Sequence, residues 1–554
     1  MRTYNRGPSH LALCVVAMAL SCLSYGREAR ATDATEFPDN GSEQAGRGGA
    51  WVARASDPLA AFYNPAGLAG QPTRLILQAN FGSQRTCFTR IKATNDTTID
   101  GVSPGGTYPQ VCDGAAFNVD PQLAMTIRLT PRIGLGIMPI VAPSAAGGNV
   151  SYPEFATVGG VPNSPEPGRY LLTAQNILLV TPTVAVGVEV INRLRVGASF
   201  QWGIAHFSFT SASTTANVNG AIPGSATNLA NSNDLRATLT GHDYFIPGFT
   251  LGTIWSPTDN IDIAGWYKWS APVSGTGDVV AQFPYYGAVA AGTPNAVSTT
   301  TTSQPDCGQP SEKSNPCGSG SNANIHLSRP MEAKLGVRFH LPRVNVPYDE
   351  HTRDPMAQDI FDAEIDGTWA NDSQMNFLFI NFPQQGTGNN TMGVIPINGT
   401  PGFIPPNADV PLHYSDVFGI RVGGDWNVLP DQLTLRAGGF YQTPAQTQAN
   451  QVYQGLAFAA GSMVGLAGGA TYRIHFGPGS NALELSAGFE HVFVGTEDGG
   501  GQAFAISGEA CDGNAAPNGT CPGGGQRFRT PWAVNLGTLT NSINVINAGL
   551  GYRF

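Results

Sequence analysis

Residues 331–341 read Met331-Glu332-Ala333-Lys334-Leu335-Gly336-Val337-Arg338-Phe339-His340-Leu341. Apolar side chains hold every odd position. Glu332, Lys334, Arg338 and His340 hold the even ones, with Gly336 among them. A helix would scatter four ionisable residues around its circumference, whereas a strand sets them all on one side. The segment therefore predicts a β-strand with one apolar and one charged face. If the apolar face meets lipid, the charges must face inward, because a lipid-facing Lys or Arg near the bilayer midplane costs roughly 2–4 kcal/mol.

The same two-residue period recurs on both sides of this segment. Upstream, Leu194, Val196, Ala198, Phe200, Trp202 and Ile204 alternate with Arg195, Ser199 and Gln201, and Ile261, Ile263, Gly265, Tyr267 and Trp269 alternate with Asp262 and Lys268. Downstream, Leu433, Leu435, Ala437 and Tyr441 oppose Thr434 and Arg436, and Leu483, Leu485, Ala487 and Phe489 oppose Glu484, Ser486 and Glu490. Connections alternate in length. Turns at 130–132, 191–193, 257–260, 429–432 and 477–480 are short, and polar stretches near 83–118, 143–167, 211–236, 279–324, 377–408, 444–458 and 495–539 are long. One turn on the short side, 343–358, is longer than its neighbours and carries Asp349, Glu350, His351, Arg353 and Asp354, a cluster read as a solvated turn rather than a metal site. Fourteen strands are expected, near 73–82, 119–130, 132–142, 168–190, 194–210, 237–256, 260–277, 325–343, 359–376, 409–428, 432–443, 459–476, 481–494 and 540–554, with 168–190 long enough to be split. An even number puts both ends of a barrel on one side, and first and last strands must pair to leave no edge. The final strand sets Ile546, Ala548, Leu550, Tyr552 and Phe554 on one face. This looks like the C-terminal signal, with its terminal aromatic, that outer-membrane barrels present to the barrel assembly machinery.

Composition and the N-terminus support export to a membrane. Charged residues are only 12% of the chain, about half the usual soluble share. Glycine numbers 69, aromatics make up 9%, and mean hydropathy is close to zero. No segment is long and apolar enough for a transmembrane helix. Arg2 and Arg6, the apolar run Leu11–Leu20 and Ala29-Arg30-Ala31 have the layout of a secretory signal peptide spanning 1–31. The net charge of −10 argues against nucleic acid as a partner. Of eight cysteines, Cys14 and Cys22 fall in the signal peptide. Six others allow fifteen connectivities, of which nearest-neighbour pairing, Cys87 with Cys112, Cys307 with Cys317 and Cys511 with Cys521, best fits three stapled loops. Zinc is the alternative, yet there is no Cys-x-x-Cys and no histidine beside these cysteines, so no metal or other cofactor is expected.

Residues 32–72 do not alternate. Small residues dominate, and Asn64-Pro65 starts a turn because Pro65 fixes its own φ and restricts Asn64. Between the signal peptide and the first strand stands Gly-x-Ala, then Ala-x-Asp ending at Asp57, then Phe62-x-Asn64-Pro65-Ala66-Gly67. This pattern resembles the N-terminal hatch of the FadL/OmpP1 (TodX-like) outer-membrane transporters. Gly248-Phe249-Thr250-Leu251-Gly252 with Trp255-Ser256-Pro257, and Tyr414-Ser415-Asp416 ahead of Gly419, resemble further segments of that family. The resemblance implies an all-β fold, an antiparallel transmembrane barrel of about fourteen strands over 73–554, closed by a small hatch at 32–72. It also implies passive uptake of long-chain fatty acids or of aromatic and aliphatic hydrocarbons across the bacterial outer membrane. Exit would be through a lateral opening at a kink in the third strand, here at Gly134, Gly136 and Pro139; the alternative is that Pro139 merely ends the strand. Proline cannot donate to the ladder and glycine weakens a strand, which suits a bend. Glu332, Lys334 and Arg338 are the lumen candidates, and of these Lys334 and Arg338, which face inward, are the candidate contacts for a fatty-acid carboxylate. Partners would be the hydrophobic substrate, lipid and lipopolysaccharide, with a monomer expected. A general porin or a structural or adhesive barrel is the competing reading. No G-x-S-x-G, His-Glu-x-x-His or paired catalytic carboxylates suggest an enzyme.

Overall fold

The computed structural model describes residues 39–554 apart from 97–99, 115–116, 142–148, 215–233, 284, 291, 293, 295–296, 302–322, 345–352, 376, 382–383, 386–391, 398–399, 405–409, 447–460, 477–480, 502 and 507–528. Successive strands pair antiparallel with their neighbours, and the last pairs with the first, from Arg74↔Arg553 to Arg90↔Gly537. The result is a closed barrel of fourteen strands. In chain order they are β1 (Arg74–Arg90), β2 (Phe117–Thr130), β3 (Ile133–Ile140), β4 (Ala174–Val180 with Thr183–Ile191), β5 (Leu194–Thr214), β6 (Asp234–Thr258) and β7 (Ile261–Ser270 with Val273–Phe283). There follow β8 (Ala323–Leu327 with Glu332–Pro342), β9 (Asp359–Ala370 with Phe377–Asn381), β10 (Val410–Pro411 with Val417–Leu429), β11 (Leu433–Gln442), β12 (Met463–His475), β13 (Ala482–Val494) and β14 (Gly537–Arg553). Closure satisfies every edge, the condition for crossing a bilayer with strands.

The alternation does what residues 331–341 predict. Glu332, Lys334, Arg338 and His340 are buried toward the lumen, while Leu335, Val337, Phe339 and Leu341 are exposed on the exterior. That exterior carries an apolar band including Leu77, Leu251, Ile365, Val422, Leu466 and Leu550. Aromatic side chains flank it near the short-turn end, at Trp255, Trp426, Tyr472 and Phe554, and toward the other end, at Trp202, Trp269, Phe418 and Phe493. A band of this kind with aromatic rims is how a barrel matches hydrocarbon and headgroups.

Several strands reach further than expected. β1 continues to Arg90 and β6 starts at Asp234, inside stretches read as loops from sequence. About ten tilted residues suffice to cross a bilayer. The surplus of these 17- and 25-residue strands therefore stands beyond the apolar band. Away from lipid the outer face needs no apolar residues, so the hydrogen-bonded ladder persists where the two-residue signal fades. β4 is interrupted at Thr181-Pro182, as its length suggested, yet both pieces lie against β5 and the count stays at fourteen. A disulfide joins Cys87 on β1 to Cys112, whose segment adds to the outer end of that strand. The other four cysteines, and residues 1–31 where a signal peptide is expected, lie outside the described residues.

Candidate functional site: hatch, lumen and the third strand

Residues Asp39–Gln71 fill the lower lumen and are almost wholly buried. Three short turns of helix shape the segment: α1 (Ser42–Gly46) and two 3-10 turns, Pro58–Ala61 and Pro65–Leu68. The second has Asp57 as its N-cap, accepting from Leu59 N at 2.7 Å, and the third has Asn64, accepting from Ala66 N at 3.3 Å. Each cap is followed by proline at the first position, where a missing N–H costs nothing. Burial pushes the Asp57 carboxyl up to about 7, with the nearby Glu43 adding to the effect.

The hatch motif is the part most closely fitted to the wall. Asn64 donates through Nδ2 to Val52 O at 2.9 Å and to Thr253 O on β6 at 3.3 Å. The Pro65-Ala66 backbone meets glycines on neighbouring strands. A Cβ on Gly197 would stand 2.2 Å from Pro65 C, one on Gly187 2.5 Å from Pro65 O, and one on Gly252 2.0 Å from Asn64 Oδ1. The wall is thus recessed in glycine to take the turn, and the Gly248–Gly252 segment supplies part of the recess. Phe62 is buried with Leu59, Trp51 and Trp266, and Lys268 Nζ lies 4.4 Å from the centre of its ring.

Ion pairs fix the other half. Arg47 reaches Asp362 at 2.6 Å, Asp425 at 2.9 Å and Glu364 at 3.2 Å, and Arg54 reaches Asp425 at 3.0 Å and Asp362 at 3.2 Å. Backbone N–H groups of Trp51 and Val52 donate to Asp366 Oδ2, and those of Ala53 and Arg54 to Glu364. Arg421 pairs with Asp39 and donates to Gly48 O at 3.2 Å. Arg421, on β10, thus holds the hatch directly, and Arg436, read as inward from sequence, packs its side chain against Gly46. Arg195 instead bonds Ser256, Glu332 pairs with Lys268 and Glu484 pairs with Arg74 and Arg473, all within the wall. The carboxylates Asp362, Glu364 and Asp366 of β9, with Asp425 of β10, were missed. Their signal was present: Asp362-Ala-Glu364-Ile-Asp366 alternates as a strand should, and the hatch brings Arg47 and Arg54.

The lumen candidates separate. Arg338 is consumed by Asp262 at 3.0 Å, Asp359 at 2.5 Å and Asp362 at 3.0 Å. Lys334 is held more loosely, 3.7 Å from Asp39 and 5.3 Å above the Trp266 ring. It borders a narrow gap between hatch and wall together with Trp51, Tyr63 and Trp266. Toward the long-loop end the inner wall changes character. On β5 the inward residues run Arg195, Gly197, Ser199, Gln201, and then Ala205, Phe207 and Phe209. The last three join Leu239, Ile325 and Leu378 in a large apolar cluster across β5 to β10. The lower lumen is thus charged and plugged, and the wall above it is apolar along β5 to β10.

On β3, Gly134 and Gly136 do not mark a bend by themselves. A Cβ on Gly134 would stand 2.1 Å from Leu68 O and one on Gly136 2.7 Å from the Ala61 Cβ, so both make room for the hatch. The irregularity lies at the next residues. Leu123↔Ile140 and Met125↔Ile137 leave β3 one residue longer than β2, a bulge around Met138-Pro139. Pro139 and Ile140 both face outward, so the alternation slips there, and pairing with β4 ends at Met138↔Thr183. Met138 and Val141 turn inward onto the same cluster as Phe62.

No family model and no curated protein matches the chain. Solved structures do. A Pseudomonas aeruginosa FadL homologue aligns over 94% of this chain and 99% of its own, at 17% identity and a TM-score of 0.62. The Ralstonia pickettii toluene transporter TbuX aligns over 93% of this chain and 98% of its own, at 13% identity and a TM-score of 0.50. At such identities the likeness speaks for the fold alone, and it covers nearly the whole of each chain. The protein has the fourteen-stranded, internally plugged barrel fold of the FadL homologue.

Proposed function

We propose that the protein carries hydrophobic compounds, long-chain fatty acids or aromatic and aliphatic hydrocarbons, passively across the bacterial outer membrane. The observation that carries this reading is the division of the lumen. A hatch pinned by buried ion pairs blocks the straight aqueous path, while the wall above it is apolar along β5 to β10. A general porin needs the opposite, an open polar channel. An apolar molecule would collect against Phe207, Phe209 and Leu378, pass along the seam where hatch meets wall near Trp51 and Trp266, and leave sideways where β3 bulges at Pro139. Movement down a gradient requires no energy source, and apolar contacts along the path lower the barrier by sparing the cargo bulk water. Lys334 is the candidate contact for a carboxylate at the end of such a molecule, because Arg338 is already neutralised. The long loops would face lipopolysaccharide, and the signal peptide and Phe554-ended strand fit export and assembly in that membrane.

The test is uptake of a labelled fatty acid and of toluene by cells expressing the protein, against cells expressing a variant lacking Pro139. Removing one residue restores equal lengths to β2 and β3 and so straightens the wall. Uptake should fall to background while barrel levels hold. Undiminished uptake would rule out lateral exit at β3, and no uptake by the unaltered protein would rule out the transport reading.

A further inference from the structure

The turn that broke the length rule, between β8 and β9, ends in a described segment, Arg353–Gln358, that folds under the hatch. Its geometry is unlike that of a solvated turn. Arg353 is buried, its backbone N–H donates to Gly70 O at 2.9 Å, and its guanidinium donates to Ala53 O at 2.7 Å and Arg54 O at 3.0 Å. These are the carbonyls of the peptide stretch whose N–H groups are held by Glu364 and Asp366. Residues 51–54 are therefore gripped on both hydrogen-bonding sides, by wall carboxylates and by an arginine from the turn.

The segment is itself anchored to the opposite side of the barrel. Asp354 accepts from Arg473 on β12 at 3.0 Å through both its oxygens and pairs with Arg553 at the end of β14. Those two guanidiniums hold its carboxyl well below the usual carboxylate range. Pro355 O accepts from Asn427 Nδ2 at 2.9 Å, Met356 O accepts from Asp431 N at 3.1 Å, and the Met356 side chain is buried. The chain thus bridges from β9 and β10 to β12 and β14 beneath the hatch.

We propose that Arg353–Gln358 is a latch that closes the short-turn end of the barrel beneath the hatch, and that Arg353 is the positioning residue that keeps residues 51–54 seated. This rests on the transport reading above and deepens it. With the lower end stitched shut, cargo cannot follow the barrel axis and is directed to the wall.

The experiment compares ion conductance of the purified, folded full-length protein with Arg353→Ala, Arg353→Lys and a deletion of residues 39–71 in planar bilayers. Heat-modifiable mobility checks assembly. The unaltered protein should be nearly silent and the deletion should conduct continuously. Arg353→Ala should open transiently, more often than the unaltered protein by about tenfold or more, since it loses the charge-assisted hydrogen bonds to Ala53 O and Arg54 O and even one such bond shifts a two-state balance by that factor. If Arg353→Ala does not assemble, Arg353→Lys keeps the charge without the planar fork and should show the same openings in smaller number. Silence of the assembled arginine variants beside a conducting deletion overturns the latch and leaves the plug intact. A silent deletion overturns the plug, and with it the latch.

Discussion

Gly197→Ala tests whether the Asn64-Pro65-Ala66 turn is seated by shape. An added Cβ would lie 2.2 Å from Pro65 C and 2.3 Å from Ala66 N, both backbone atoms that cannot rotate away. Ordinary contact begins near 3.4 Å, so the hatch turn must retreat by about 1.2 Å. Overpacking of a closely fitted site costs about 1–3 kcal/mol. Retreat also stretches the Asn64 Nδ2 bond to Thr253 O, already 3.3 Å, past hydrogen-bonding range. An unmet buried amide adds about 1–3 kcal/mol. Together the seat weakens by roughly 2–6 kcal/mol, which is enough to populate an unseated hatch in a barrel whose strands are untouched. The control is Gly82→Ala, on the inward row of β1, where a Cβ meets nothing within 4 Å. Both variants should reach the membrane at equal levels and unfold alike. Only Gly197→Ala should raise protease cleavage within residues 51–68 and lower hydrophobic uptake. Equal cleavage and uptake for the two would refute the argument that the glycine recess seats the hatch.

Three further outcomes are expected. Because burial raises Asp57 from 3.8 to about 7 in the seated hatch, its contribution to seating is fully present below 3.8 and is lost as pH rises from there to about 7. Hatch cleavage should increase over that window, and Asp57→Asn should flatten the dependence; a variant with the unaltered profile would show that another group titrates. Deleting Phe554, half exposed on the lipid face with its N–H bonded to Thr73 O, should reduce assembled barrel without changing uptake per folded molecule, read by heat-modifiable gel mobility. Peptide mapping without reduction should find Cys87 linked to Cys112, and Cys307 with Cys317 and Cys511 with Cys521 as the other two linked pairs. Any cross-pairing would break the assignment of those four to separate loops.

The barrel was legible in the two-residue period alone. A two-residue period fixes which side chains face lipid, because one charge on the wrong side is too costly, so residues 331–341 could have only one orientation. Strand number, turn positions and the closing strand with Phe554 followed from the same period. The hatch was legible as a segment without that period, and Asn64, Pro65 and Ala66 as its motif. Tertiary structure decided everything that depends on which inward residues meet. Whether a buried arginine is free or neutralised depends on neighbours more than three hundred residues away, as for Arg47 of the hatch with Asp362 and Asp425, and no local pattern encodes that pairing. Arg338 and Lys334 look alike along the strand, yet three carboxylates surround one and a single distant one faces the other. Gly134 and Gly136 read locally as weak points in a strand. Against the hatch they are the positions where a side chain has no room, because backbone from a segment outside the strand pattern occupies the space. Arg353 and Asp354 read as a solvated charge cluster for the same reason: their partners lie on the hatch and on β12 and β14, and only closing the barrel brings those groups beneath one turn.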